Sequence, residues 1–124
     1  MKKINRVKRN EEFQKIIAQK QYVASKVFVV YYQPGLSKYF RVGISVGKKL
    51  GNAVIRNKIK RQLRMMLKDL VDLENQVDLI IIVRKPYLGK SFNDNRKDLL
   101  QLLKKVKMYG NGILNDKEII DESI

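Results

Sequence analysis

The sequence predicts an α+β domain, one sheet with helices packed on it. Three observations carry that prediction. Val27 to Gln33 (VFVVYYQ), Tyr39 to Val46 (YFRVGISV) and Val77 to Val83 (VDLIIIV) are rich in β-branched and aromatic residues, as strands are. Between the second and third runs lies a basic segment, Gly47 to Arg64 (GKKLGNAVIRNKIKRQLR), whose apolar residues recur at helical spacing. Helical patterns also flank the strands, from about Asn10 and from about Ser91. The expected order is αββ(β)αβα, with room for a third early strand, and the passage from residue 39 to 83 reads as a parallel strand–helix–strand crossover.

The chain opens with Lys2, Lys3, Arg6, Lys8 and Arg9, read as a basic, mobile arm over residues 1–9. Asn10 is the expected cap of the first helix, with Glu11 and Glu12 in the first turn, where the helix dipole favours acids. Phe13, Ile16 and Ile17 form its apolar stripe, suited to core packing, although Phe13 at a groove edge would also suit stacking on a base. Pro34-Gly35-Leu36-Ser37 is a turn signal, so the two runs around it read as an antiparallel hairpin. Alternation separates Phe28, Val30 and Tyr32 from Val27, Val29, Tyr31 and Gln33. Tyr31 and Tyr32 therefore point to opposite faces, and one of them is available to an open surface; a core or rim tyrosine remains an equal alternative.

In the basic segment, Asn52 is a suitable N-cap, and Gly47 and Gly51 permit a sharp turn before the helix. Ile55, Ile59, Leu63, Met66, Leu67 and Leu70 fall on one side. Asn57, Lys58, Lys60, Arg61, Arg64 and Lys68 occupy the other, while Arg56 sits at the edge, its stem able to pack with the guanidinium outward. A solvated helix face normally mixes signs. This one carries no acid, and cations near a helix N-terminus also oppose its dipole. A phosphate partner offsets both costs. Val77 to Val83 reads as a buried strand, and Ser91 followed by Asp94 resembles a capping box for a helix running to about Tyr109. Leu99, Leu102, Leu103 and Val106 should face inward, with Gly110 and Gly112 at the end. Residues 1–112 read as a single RNA-binding domain, and 113–124 as an acidic C-terminal tail, loose or folded back on the body.

Charge sharpens the functional reading. The 124 residues carry a net charge of +15. No Asp or Glu occurs between Phe13 and Lys68, which turns one part of the fold toward a polyanion. There is no Cys and no His, which removes thiolate and imidazole ligands and the commonest general base. An autonomous nuclease is disfavoured on that ground; a structural RNA-binding protein and, more weakly, a DNA-binding helix remain as rivals. No apolar run approaches the roughly 20 residues of a membrane span, and no apolar core follows the basic N-terminus as in a secretory signal, so the chain reads as cytoplasmic.

The segment SVGKKLGNAVIRNKIKRQLR resembles the signature of the bacterial ribonuclease P protein subunit, roughly K-K-x-G-N-A-V-x-R-N-R-x-K-R-x-x-R. It is filled by Lys48, Lys49, Gly51, Asn52, Ala53, Val54, Arg56, Asn57, Lys60, Arg61 and Arg64. Arg9-Asn10 through Phe13 and Ile82-Val83-Arg84-Lys85-Pro86 are also similar to the family. Lys58 stands where the family usually has Arg, and Ile17 where it often has an aromatic. The resemblance implies a single-sheet α+β sandwich like ribosomal protein S5 domain 2, with a left-handed βαβ crossover. It implies help to a catalytic RNA that removes the 5′ leader of precursor tRNA, with Mg²⁺ acting through the RNA and no catalytic or metal-binding residue on the protein. By position, RNA-facing residues would be Lys48, Lys49, Arg56, Asn57, Lys58, Lys60, Arg61 and Arg64, and the leader cleft would involve Phe13, Ile17, Phe28 and Tyr31. The implied partners are ribonuclease P RNA and precursor tRNA, with no membrane and no obligate protein partner.

Overall fold

A computed structural model describes residues 6–35, 39–106 and 114. The elements run α1 (Asn10–Ala18), β1 (Tyr22–Ala24), β2 (Phe28–Pro34), β3 (Arg41–Val46), a 3-10 turn (Lys48–Leu50), α2 (Ala53–Leu70), β4 (Val77–Val83), a second 3-10 turn (Lys85–Gly89) and α3 (Phe92–Lys104). The strands form one four-stranded sheet in the order β1-β2-β4-β3. The expected α+β class and element order are met, including the optional early strand.

The expected hairpin is not formed. β4 lies between β2 and β3, antiparallel to β2 from Phe28↔Val83 to Pro34↔Val77 and parallel to β3 from Arg41↔Asp78 to Val46↔Val83. The reason lies in the composition of β4, which is apolar on both faces apart from Asp78. Such a strand is stable only in the centre, with neighbours on both sides and layers above and below. Burying β4 outweighs the pairing of consecutive strands. The β3–α2–β4 passage is the expected parallel crossover. β1 escaped a firm assignment because it is three residues long. It is set against β2 by Ser25, whose Oγ accepts from the N–H groups of Val27 and Phe28 at 3.1 Å each and donates to Asp98 at 2.6 Å.

The sheet separates two apolar clusters. On one face Phe28, Val30, Val42, Val46, Leu79, Ile81 and Val83 pack with Ile59, Leu63, Met66, Leu67 and Leu70 of α2 and Leu99, Leu102 and Leu103 of α3. On the other, Val7, Ile16 and Ile80 are buried, with Phe13, Ile17, Tyr31 and Ile82 packed around them. Helix ends largely follow the sequence. Asn52 Oδ1 accepts from Ile55 N–H at 3.0 Å, and Ser91 Oγ accepts from Asp94 N–H at 3.1 Å. Two expectations shift. The cap of α1 is Arg9, not Asn10, because the Arg9 carbonyl already accepts from Phe13 N–H at 3.1 Å and brings Asn10 inside the helix. Ile55 is exposed rather than core, since it lies in the first turn of α2, where its side chain crosses Gly51 instead.

The basic arm is not free throughout. Arg6 bridges to Val42 on the outer edge of β3, Val7 N–H donates to Val42 O at 2.9 Å, and the Val7 side chain is buried. Leu114, placed in the tail by composition, pairs with Val71 and is buried with the main core. The last helix does not run to about Tyr109: α3 ends at Lys104, where Lys105 N–H and Val106 N–H turn back to the carbonyls of Leu102 and Leu103. Leu36 and Ser37, Tyr109, Gly110, Gly112, residues 1–5 and the rest of the tail lie outside the described residues.

Candidate nucleic-acid interface

The basic helix begins from a shaped turn. Gly51 has φ 143°, a conformation that side chains rarely adopt, and a Cβ there would come within 2.9 Å of Ile55 Cδ1. That turn carries Lys48 and Lys49, both exposed, up to the capped start of α2. With Ile59, Leu63, Met66, Leu67 and Leu70 anchored in the core, the helical period sends Asn57, Lys60, Arg61, Arg64 and Lys68 to the opposite side. Arg56 lies on the flank, half-buried as its edge position implied, and its Nε has no hydrogen-bond partner among the described residues. Lys58 is exposed.

The N-terminal segment completes the surface. Because Arg6 and Val7 run along β3, Arg6 faces the exposed side of α2. Together they bound an open groove of about 680 Å³ lined by Arg6, Asn57, Lys60, Arg61, Arg64, Met65 and Lys68. Arg6, Lys60 and Arg64 also line an adjoining groove of about 300 Å³, which continues past Val7, Lys8, Val42 and Ile44 to Phe13. The two form one cationic trough from α2 to α1. Burial, and next the charge of Arg6, pull the Arg64 guanidinium below its usual range. Cations pressed together and partly desolvated are relieved by an anion. From sequence Arg6 reads only as part of a basic, mobile arm; its long-range pairing with β3 has no local signal.

At the far end of the trough an aromatic surface begins. The Phe13 ring lies directly over Gly43 of β3; a Cβ at Gly43 would overlap the ring and would sit 2.8 Å from Ile80 Cδ1. Ile17 and Tyr31 adjoin it around the Val7–Ile16–Ile80 cluster, all three half-buried. Phe28 does not join them. It is fully buried on the opposite face of the sheet, with its ring 5.8 Å from Tyr87 in an edge-on contact. Strand alternation dictates this, because residues 28 and 31 have opposite parity and cannot share a face. The placement of Phe28 in a cleft with Tyr31 is therefore corrected.

Besides the apolar packing of Ile16, Phe13 and Ile17 on the sheet, a partly buried ion cluster links α1 to β3 and β4. Arg41 Nε and Nη2 donate to Asp78 Oδ1 and Oδ2 at 3.1 and 2.9 Å, and Nη1 donates to Glu12 Oε2 at 2.6 Å. Asp78 is wholly buried, and Gln33 Nε2 approaches it at 3.4 Å. The bonds to Asp78, and then to Glu12, hold the Arg41 guanidinium well above its ordinary range. The sequence did carry one hint of this cluster: an Asp inside an otherwise apolar strand must find a partner.

No group of three or more His, Cys, Asp or Glu residues able to hold a metal occurs among the described residues, and none of their helices is long and apolar enough to cross a membrane. Chemically, the trough can bind, orient and screen phosphates, and its aromatic end can stack bases.

Comparison with known proteins agrees with this geometry. The sequence model of the Ribonuclease P family matches residues 1–107. The ribonuclease P protein component of Mesoplasma florum is 48% identical over 105 residues, covering 83% of this chain and 96% of the relative. That of Streptococcus mutans is 42% identical over 119 residues, covering 96% and 100%. Among solved structures, the Staphylococcus aureus RNase P protein superposes with a TM-score of 0.73 at 39% identity, covering 82% of this chain and 94% of that one. The Thermotoga maritima RNase P protein gives 0.72 at 29% identity, covering 83% and 98%. The Gly-punctuated basic helix, the α+β sheet that carries it and the near full-length match lead to one assignment: the chain belongs to the ribonuclease P protein family.

Proposed function

We propose that the chain is the protein subunit of a ribonuclease P ribonucleoprotein, binding the catalytic RNA and the 5′ leader of precursor tRNA so that the leader is removed. The observation that carries this reading is the trough between Arg6 and α2, cationic along its length and ending on Phe13. Lys48, Lys49, Arg56, Asn57, Lys58, Lys60, Arg61 and Arg64 contact RNA phosphates from the turn and helix that carry them. The leader lies over Phe13, Ile17 and Tyr31, gripped through backbone charge and base stacking and so with little sequence preference. Hydrolysis belongs to the RNA with its Mg²⁺. The protein brings two polyanions together, and its contribution falls steeply as salt rises.

Reconstitution tests the reading. The purified chain is mixed with a bacterial ribonuclease P RNA and a 5′-extended precursor tRNA at low Mg²⁺, each component omitted in turn. Cleavage at the mature 5′ end should require the RNA and be strongly enhanced by the protein. No enhancement with a matched RNA would leave a structural RNA-binding protein, and cleavage without RNA would make the chain itself a nuclease.

A further inference from the structure

The aromatic surface continues beyond Tyr31. Tyr22 opens β1 and stands directly opposite Tyr31 in the β1–β2 register. The two rings lie 5.3 Å apart with their planes at 43°. Residues paired across antiparallel strands share a face, so Tyr22 lies on the side of the sheet that carries α1. Yet it is 54% exposed, among the most exposed large apolar side chains described. β1 is a three-residue strand at the edge of the sheet, where an exposed aromatic is a liability for association.

The segments on either side of β1 and the helix before it carry exposed cations: Lys15 on α1, Lys20 in the turn after it and Lys26 after β1. Of the carboxylates on α1 and α3, Glu12 pairs with Arg41 and Asp98 accepts from Ser25 in the turn after β1, while Glu11 at the start of α1 is exposed. A 43° tilt leaves no parallel slot between the rings. The ring face of Tyr22 left open for stacking is therefore its solvent-facing side, not the space between the two tyrosines.

We propose that Tyr22 is an additional stacking subsite for an unpaired nucleobase of the precursor tRNA leader, next to the base held at Tyr31. This rests on the leader-binding function proposed above and extends it, giving this chain a longer leader track than Phe13, Ile17 and Tyr31 alone, with a third aromatic beside Phe13 and Tyr31. Stacking is tolerant of base identity, so the subsite measures leader length more than leader sequence.

The test uses the holoenzyme assembled from the full chain and a bacterial ribonuclease P RNA, with precursor tRNAs of graded leader length and mature tRNA as reference. Wild type, Tyr22→Ala and Tyr22→Phe are compared by equilibrium binding, and 2-aminopurine at successive leader positions reports stacking. Wild-type affinity should rise with leader length to a plateau. Tyr22→Ala should reach its plateau one nucleotide earlier and bind long leaders about tenfold more weakly, with short leaders and mature tRNA unaffected. The aminopurine at that position should lose its quenching, and Tyr22→Phe should behave as wild type. Tyr22→Ala matching wild type on every leader would overturn the subsite. So would an equal loss on mature tRNA and all leaders, which would make Tyr22 only a cross-strand partner of Tyr31. Both results leave the leader dependence of wild type, and hence the proposed function, standing. A wild type indifferent to leader length would remove that function and the subsite with it.

Discussion

Replacing Arg41 should expose how much of the fold depends on one ion cluster. Its side chain is 17% exposed and the Asp78 side chain 0%, so Arg41→Ala leaves a carboxylate fully buried opposite an empty place. Removing one partner of a buried pair costs about 3–5 kcal/mol, because the remaining charge is no longer compensated. The link to Glu12, whose side chain is 33% exposed, adds less, on the order of 0.5 kcal/mol, as water replaces much of it. For a chain of this size each kcal/mol lowers the thermal midpoint by roughly 3–5 °C, so a fall of about 10–25 °C is expected. The double substitution Arg41→Met with Asp78→Leu removes both charges and leaves apolar groups of similar bulk. It should recover most of the loss and lie within about 2 kcal/mol of the parent. Urea unfolding followed by far-UV circular dichroism measures both. An Arg41→Ala loss below about 1 kcal/mol, or a double variant no better than the single, would refute the claim that the unpaired Asp78 charge sets the cost.

Three more outcomes can be checked directly. Arg61→Ala combined with Arg64→Ala should weaken RNA binding and reduce the slope of log affinity against log salt by about one unit for each phosphate no longer neutralised; an unchanged slope would take that side of α2 out of the interface. Gly43→Ala should displace the Phe13 ring, costing roughly 1–3 kcal/mol by overpacking and weakening precursor tRNA binding more than mature tRNA binding; equal binding of both tRNAs relative to the parent would separate Phe13 from the leader. Burial pushes the Tyr87 hydroxyl, which donates to Gln62 Oε1 at 2.7 Å, up from 10.0 to about 12. Since the folded value lies above the unfolded one, this contribution to stability is complete below pH 10 and declines as pH rises toward 12. Tyr87→Phe should lessen the decline in that window, and an identical pH profile would assign the loss to other groups.

The site was legible where its chemistry is local. The helix that carries Lys60, Arg61 and Arg64 could be read from its period, its Asn52 cap and the glycine before it, because each signal acts within one helical turn. Tyr31 could be placed on the face opposite Phe28 by counting residues. Carrying both into one cleft by resemblance overrode that count, and the structure sides with the count. Arg6 was legible as a charge but not as part of the trough, since nothing in a run of basic residues says which of them will pair with a strand edge far along the chain.

By itself, then, the amino-acid order determined the helices, their caps, the strand-forming runs and the one-sided charge, all set by the conformational and electrostatic preferences of near neighbours. Strand order was decided only in three dimensions, when burying both faces of β4 forced it between β2 and β3. That choice placed Arg41 beside Asp78, 37 residues away in sequence, and within reach of Glu12 on α1. It also left β3 with an outer edge for Arg6 and Val7, which is why a cationic trough exists where the sequence offered a basic helix and a basic arm. Pairings of this kind depend on competition among all the apolar surfaces of the chain for burial, a global balance that no local pattern encodes.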